Sequence, residues 1–291
     1  MIPKELLRKV RQIQIRTSRV VNDLFAGQYH AVFRGRGMEF EEVSPYKIGD
    51  DFRLIDWNVS ARFGEPYIKK FREERELTVM LVVDVSRSGL FGSGQQFKLD
   101  IAAELCAVLA FSAIRSNDKV GLILFTDQVE KYVPAKKGTQ HVLRIIRELL
   151  YHEPVGRGTD IAEVLGFLNR VTVRKSVCFL VSDFLAKDYR PALRVARRRH
   201  DLIPVVVTDP REMELPAVGL VDLLDPETGE RALIDTGSAR LRARFARQRR
   251  SDVEARETMF RKMDTETIEI RTDRPYVDPL VRFFRKRERR R

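Results

Sequence analysis

The sequence predicts an α/β protein built on a doubly wound, mostly parallel sheet with helices on both faces. Two observations carry this. First, the runs "LTVMLVVD" (77–84), "KVGLILFT" (119–126), "SVCFLVSD" (176–183) and "LIPVVVTD" (202–209) are apolar almost throughout. Unbroken apolar runs of this length belong to strands buried on both faces, whereas half-exposed strands alternate. Second, stretches with apolar residues at helical spacing separate most of these runs, which is the order of a parallel sheet with crossover helices.

Each element has its own signal. Residues 4–25 carry Leu6, Leu7, Val10, Ile13, Val20, Val21 and Leu24 among charges, an amphipathic helix. Residues 26–75 have no sustained period and read as short strands and turns. After the strand at 77–84, "FKLDIAAELCAVLAFSAIRSND" is a helix with Ile101, Leu105, Val108, Leu109 and Ser112 on one side. The strand 119–126 is followed by "VEKYVPA", its antiparallel partner across a tight "DQ" turn. "TQHVLRIIRELLYH", "TDIAEVLGFLNRVT" and "YRPALRVARRRH" read as helices. A hairpin at about 219–237 turns at "DPETGE", and a long basic helix follows at 238–263. "TETIEIRT" is the last strand, and a closing helix spans 276–290. The expected division is an N-terminal helix and extension, 1–76, and an α/β domain, 77–291.

Composition narrows the function. The chain has 291 residues and 54 Lys+Arg against 42 Asp+Glu, a net charge of +12. Much of the excess sits in "ARLRARFARQRR" and "RFFRKRERRR", where arginines at helical density read first as solvated faces. A polyanion patch, or peripheral membrane contact through the basic tail, is the other reading of these stretches. No run approaches the roughly 18 apolar residues of a membrane span. The charged N-terminus lacks the apolar block of a signal peptide, so a cytoplasmic location is expected. Cys106 and Cys178 lie in apolar runs outside any C-x-x-C pair and read as buried thiols. The four histidines are scattered and are expected at the surface.

The chemistry gathers at predicted strand ends. Asp84 closes the first strand, and Ser86 and Ser88 follow it. Thr159 precedes a helix, and Asp183 closes the strand 176–183. In a parallel sheet ligands bind beyond the carboxyl ends of the strands, where these loops converge. Two carboxylates and three hydroxyls are all hard oxygen donors, suited to Mg²⁺ or Mn²⁺ rather than zinc. With at most two negative charges from the protein, such an ion keeps a coordination position for a carboxylate from another molecule. Each residue also has a local role open to it: serines and Thr159 as helix-start residues, the aspartates as arginine partners.

At these positions the chain resembles the von Willebrand factor A domain, whose metal-ion-dependent adhesion site reads D-x-S-x-S, then T, then D. The resemblance covers about residues 77–272 and implies a six-stranded, mostly parallel sheet and protein binding rather than catalysis. Phe184 stands where that family commonly has glycine. Upstream, "GRGMEFEEVSPYKIGDDFRLIDWNVSAR" resembles the signature of the domain-of-unknown-function-58 family, with Gly35, Gly37, Glu39, Phe40, Tyr46, Gly49, Asp50, Asp51, Arg53, Ile55, Asp56, Trp57, Ser60, Ala61 and Arg62 in place. That resemblance implies an adaptor or chaperone acting with a MoxR-type AAA+ ATPase on a client complex. Asp50, Arg53, Asp56, Trp57 and Arg62 read either as a charge network fixing this segment or as a partner surface with Trp57 as anchor.

Two alternative functions stand beside the metal-dependent interaction module. One is a Mg²⁺-dependent phosphatase with Asp84 as nucleophile, against which position 86 is serine where an acid/base aspartate belongs. The other is a polyanion binder using 239–250 and the tail, with nucleic acid the less favoured ligand because no stacking aromatics are interleaved.

Overall fold

The computed structural model describes residues 39–72, 76–94, 96–224 and 229–290, with Ile13, Thr17, Tyr29 and Val32 placed singly. The N-terminal helix expected over 4–25, the glycines Gly35 and Gly37 and most of the "DPETGE" turn lie outside the described residues.

A six-stranded sheet forms the centre of the larger unit, which comprises residues 1–32 and 78–291. Its strands are β3 (Thr78–Asp84), β4 (Lys119–Phe125), β5 (Val129–Lys136), β6 (Val177–Ser182), β7 (Asp201–Thr208) and β10 (Ile268–Arg271). The order is β10-β7-β6-β3-β4-β5, with every pair parallel except β4–β5. This is the six-stranded, mostly parallel sheet that the von Willebrand factor A resemblance implied. The apolar runs are buried as read: β6 is inaccessible along its whole length, and β3 and β4 are so beyond their first residue.

The crossover helices are α2 (Lys98–Arg115), α3 (Thr139–Tyr151), α4 (Ile161–Val171), α5 (Arg190–Arg199), the short α6 (Pro210–Met213) and α7 (Ala239–Lys262), and α8 (Val277–Glu288) follows the last strand. α4, α5 and the end of α7 cover one face, where Val164, Leu168, Leu193 and Phe260 meet Met80, Val82, Ile123 and Leu180. α2 lies against β3, β4 and β7, with α3 beside it, also against β4. α2 is buried nearly all round, which explains its continuous apolar sequence. β3 sits where the winding reverses, with β4 on one side and β6 on the other. Such a switch point opens a crevice at the carboxyl ends of the two diverging strands, here β3, which ends at Asp84, and β6, which Asp183 follows. The hairpin of β8 (Leu220–Leu224) and β9 (Arg231–Asp235) is a separate two-stranded ribbon.

Residues 33–77 form a second compact unit, so the larger unit takes in the first 32 residues. Here β1 (Glu39–Pro45) pairs antiparallel with β2 (Tyr67–Arg72). Between them lies a helix that the turn-rich sequence did not predict, α1 (Trp57–Phe63). Its periodicity is too short to register, and local capping makes it. The Asp56 carboxylate accepts from Asn58 N at 3.0 Å and Val59 N at 3.3 Å, and Gly64 stops the helix at φ 75°.

Both cysteines are buried free thiols, pushed up to about 12 by burial. The surface expectation fails for His200, which is buried with Nδ1 3.0 Å from Ser176 Oγ.

Candidate functional site

The strand ends of β3 and β6 supply the centre. Asp84 is the last residue of β3, and its backbone register beside β4 continues one residue further, where Val85 N donates to the Phe125 carbonyl at 2.9 Å. The chain then turns sharply: Ser86 N donates back to Asp84 Oδ1 at 2.9 Å, and a 3₁₀ turn spans Arg87–Leu90. This turn brings the Ser86 and Ser88 hydroxyls within 3.0 Å of each other. From β6, Ser182 Oγ donates to Asp84 Oδ2 at 2.7 Å. Asp84, Ser88, Ser182 and Asp183 line one cleft of about 20 Å³, room for a single water-sized sphere.

Burial raises the Asp84 carboxyl, and the neighbouring Asp183 charge raises it further, to about 6, against the opposing hydrogen bonds from Ser86 and Ser182. Two carboxylates thus face each other across a site with little solvent. Asp183 is in turn held by Lys98, whose Nζ lies 2.8 Å from Asp183 Oδ2 and 2.5 Å from Glu212 Oε1 on α6. Burial alone lowers the Lys98 ammonium, but Asp183 and Glu212 outweigh it and hold the group above the ordinary lysine value. Asp183 Oδ1 accepts from Leu185 N at 3.1 Å.

Thr159 arrives differently. It is half-buried on the loop 152–160, and its neighbour Asp160 donates its N–H to the Thr126 carbonyl at 2.9 Å, just beyond β4. Thr159 therefore stands at the same carboxyl edge as Asp84, although it is not among the residues lining the cleft between Asp84 and Asp183. Glu130 holds its loop. One Glu130 oxygen, Oε1, accepts from Gly156 N at 2.7 Å, Val155 N at 3.2 Å and Thr126 Oγ1 at 2.7 Å. Burial pushes the Glu130 carboxyl up, but these donors and Gln128 bring it down to about 2. Gly156 is required here: a Cβ on it would lie 2.0 Å from both Asp127 Oδ1 and Thr126 Oγ1.

Of the five predicted residues, the structure gathers Asp84, Ser86, Ser88 and Asp183 and places Thr159 on the adjoining loop. Among the described residues, no three His, Cys, Asp or Glu side chains converge as a metal site, so any cation here depends on the hydroxyls. The donor set fits a hard divalent ion: every donor is oxygen, and the Asp84–Asp183 repulsion is what a cation relieves. Lys98, Glu212, Glu130 and Ser182 were missed. Only Ser182 had a signal, as the residue before Asp183 in "VSD".

The rim is tied by Asp209, at the end of β7. Its carboxylate accepts from Ser93 Oγ at 2.6 Å, Ser93 N at 2.9 Å and Thr272 Oγ1 at 2.6 Å, joining the loops after β3, β7 and β10.

In the second unit the acidic residues of the predicted partner surface are used locally. Asp50 accepts from Lys47 N at 2.8 Å, and Asp56 caps α1 and lies 3.3 Å from Lys69. Arg53 lies over the Phe52 ring. Trp57 is 71% exposed, and Ile48, Phe52 and Phe63 beside it in sequence are also exposed.

The sequence pattern of the family described as "Protein of unknown function DUF58" matches residues 42–255. The chain is 31% identical over 290 residues to "Uncharacterized protein Rv1480" of Mycobacterium tuberculosis, covering 98% of this chain and 90% of that one. It is 34% identical over 163 residues to "Uncharacterized protein MAV169" of Mycobacterium avium, covering 54% of this chain and 94% of the relative. Among solved structures it is similar to the conserved hypothetical protein BatB from Bacteroides thetaiotaomicron, with TM-score 0.48, 18% identity and coverage of 73% of this chain and 99% of that one. It is also similar to the SpRpn10 VWA domain, with TM-score 0.39, 10% identity and coverage of 71% and 94%.

Proposed function

The chain belongs to the family described as "Protein of unknown function DUF58", and from that premise we propose that it is a protein-interaction module whose grip on a partner depends on Mg²⁺ at the carboxyl edge of the sheet. Asp84, Ser86, Ser88, Thr159 and Asp183 would hold the ion, with Mn²⁺ as its substitute. A bound divalent ion there supplies a Lewis-acidic point for a partner's carboxylate oxygen. The observation that carries this reading is the pairing of two buried carboxylates with two converging hydroxyls at the switch point of the sheet. The chain contributes position and exclusion of water. Strand register fixes Asp84, Ser182 aims it, and the Glu130-held loop presents Thr159.

Within this reading the partner is a MoxR-type AAA+ ATPase or its client, and the role is that of an adaptor or chaperone. Trp57, with Asp50, Arg53, Asp56 and Arg62, forms the second contact surface. Two facts weigh against the alternatives. Both Asp84 oxygens accept hydrogen bonds within the fold, which blunts a nucleophile. Several arginines of α7 are engaged locally, Arg242 on the Thr236 and Gly237 carbonyls, Arg250 on Glu214 and Arg256 on Glu269, which leaves fewer for a polyanion.

The test is calorimetric titration of Mg²⁺ into the wild type and Asp84→Ala, with partner capture from lysate in Mg²⁺ or EDTA. Saturable binding and Mg²⁺-dependent capture, both lost in Asp84→Ala, are expected. A wild type that takes up no Mg²⁺ overturns the proposal.

A further inference from the structure

Lys98 sits where stability alone does not favour a cation. It is the first residue of α2, at the positive end of the helix dipole, where ammonium groups are disfavoured. It is also buried, with only 4% of its side chain accessible, and removing an ammonium from water is costly. Two carboxylates from separate elements hold it there: Asp183, 7% accessible, at 2.8 Å, and Glu212 at 2.5 Å. Glu212 is itself fixed, since its other oxygen, Oε2, accepts from Asp209 N at 3.0 Å. Lys98 also lines the cleft that contains Asp84, Ser88 and Asp183.

We infer that Lys98 is the built-in counter-cation of the candidate metal site, and that it weakens the site for a divalent ion so that firm occupancy needs the partner's carboxylate as well. This rests on the metal-dependent reading above and adds how that site is regulated. In the metal-free chain the ammonium neutralises part of the charge of Asp183 and keeps the strand ends together. It also occupies one Asp183 oxygen and repels a second cation in a poorly solvated setting, where charges interact strongly. An incoming carboxylate offsets that repulsion. Ion and partner thus bind cooperatively, each raising the affinity for the other by the same factor.

The experiment compares Mg²⁺ affinity by calorimetry, and the Mg²⁺-dependent rise in melting temperature, for the wild type, Lys98→Met and Lys98→Arg. Methionine keeps much of the stem and removes the charge. Lys98→Met should bind Mg²⁺ on the order of tenfold more tightly. Its metal-free form should melt lower and gain more from Mg²⁺ than the wild type does, whereas Lys98→Arg should resemble the wild type. If Lys98→Met binds Mg²⁺ no more tightly than the wild type, Lys98 is only a structural anchor and this inference falls alone. If neither protein binds Mg²⁺, the metal-dependent reading falls with it. Should Lys98→Met not fold, Glu212→Gln provides the second measurement. It leaves the ammonium to Asp183 and should weaken Mg²⁺ binding, and unchanged or tighter binding would overturn the inference.

Discussion

At the scale of single residues, Phe184 shows how packing outweighs backbone preference. It follows Asp183 directly and has φ 58°, the left-handed region that favours glycine. An L side chain there costs about 1–2 kcal/mol. The Phe184 ring is buried, edge-on to Phe260 at 5.4 Å and 5.8 Å from Tyr189. Losing a buried phenylalanine costs about 3–5 kcal/mol, more than the strain returned. Phe184→Gly is therefore expected to lower stability by about 1–4 kcal/mol in urea denaturation, the difference of those ranges. A neutral or stabilising result would show that the ring contributes little. The same strained residue explains how Asp183 is turned out of its strand: Phe184 N donates to Ser182 Oγ at 3.1 Å, and Ser182 Oγ donates in turn to Asp84.

At the scale of elements, the loop between α3 and α4 is held by one carboxylate. Glu130 lies on β5, the antiparallel edge strand, yet its hydrogen bonds go to Thr126, Val155 and Gly156. Its folded carboxyl lies at about 2, below the ordinary 4.5. A depressed carboxyl stabilises the fold above its unfolded value, and that contribution fades as pH falls from there through the folded value. Glu130→Gln should thus lose about 1.5–3 kcal/mol at neutral pH, the usual range for hydrogen bonds to a charged group. The gap to the wild type should narrow as pH drops from about 4.5 toward 2. Chemical denaturation across that pH range reads both, and a gap independent of pH would mean that charge is not what holds the loop.

At the scale of the whole molecule, the chain folds as two compact units. The larger unit carries the crevice. The smaller one exposes Ile48, Phe52, Trp57 and Phe63 within sixteen positions of sequence, counting Ile48 as the first. Single exposed apolar residues are ordinary; several in one short stretch are what motivates the contact surface proposed around Trp57. Trp57→Ala should leave stability within about 0.5 kcal/mol, as for surface changes, while reducing capture of the partner defined by the Mg²⁺ pull-down. A large drop in melting temperature would reassign Trp57 to packing. No helix among the described residues is long and apolar enough to cross a membrane.

The sequence by itself determined the sheet, because burial on both faces writes an unbroken apolar run into each strand, and a strand's end is marked where polarity returns. Asp84, Ser86, Ser88 and Asp183 were legible for the same reason: each lies at such an end or just past it. Only the tertiary structure decided what surrounds them. Lys98 on α2 reaches Asp183 across 85 positions of sequence, and Glu212 on α6 meets the same Lys98 ammonium across 114. Glu130 reaches Gly156 across 26 positions. Charges at helix starts and strand edges look alike in a sequence, and which of them end up sharing a dry crevice depends on how the crossovers bring distant loops to one rim.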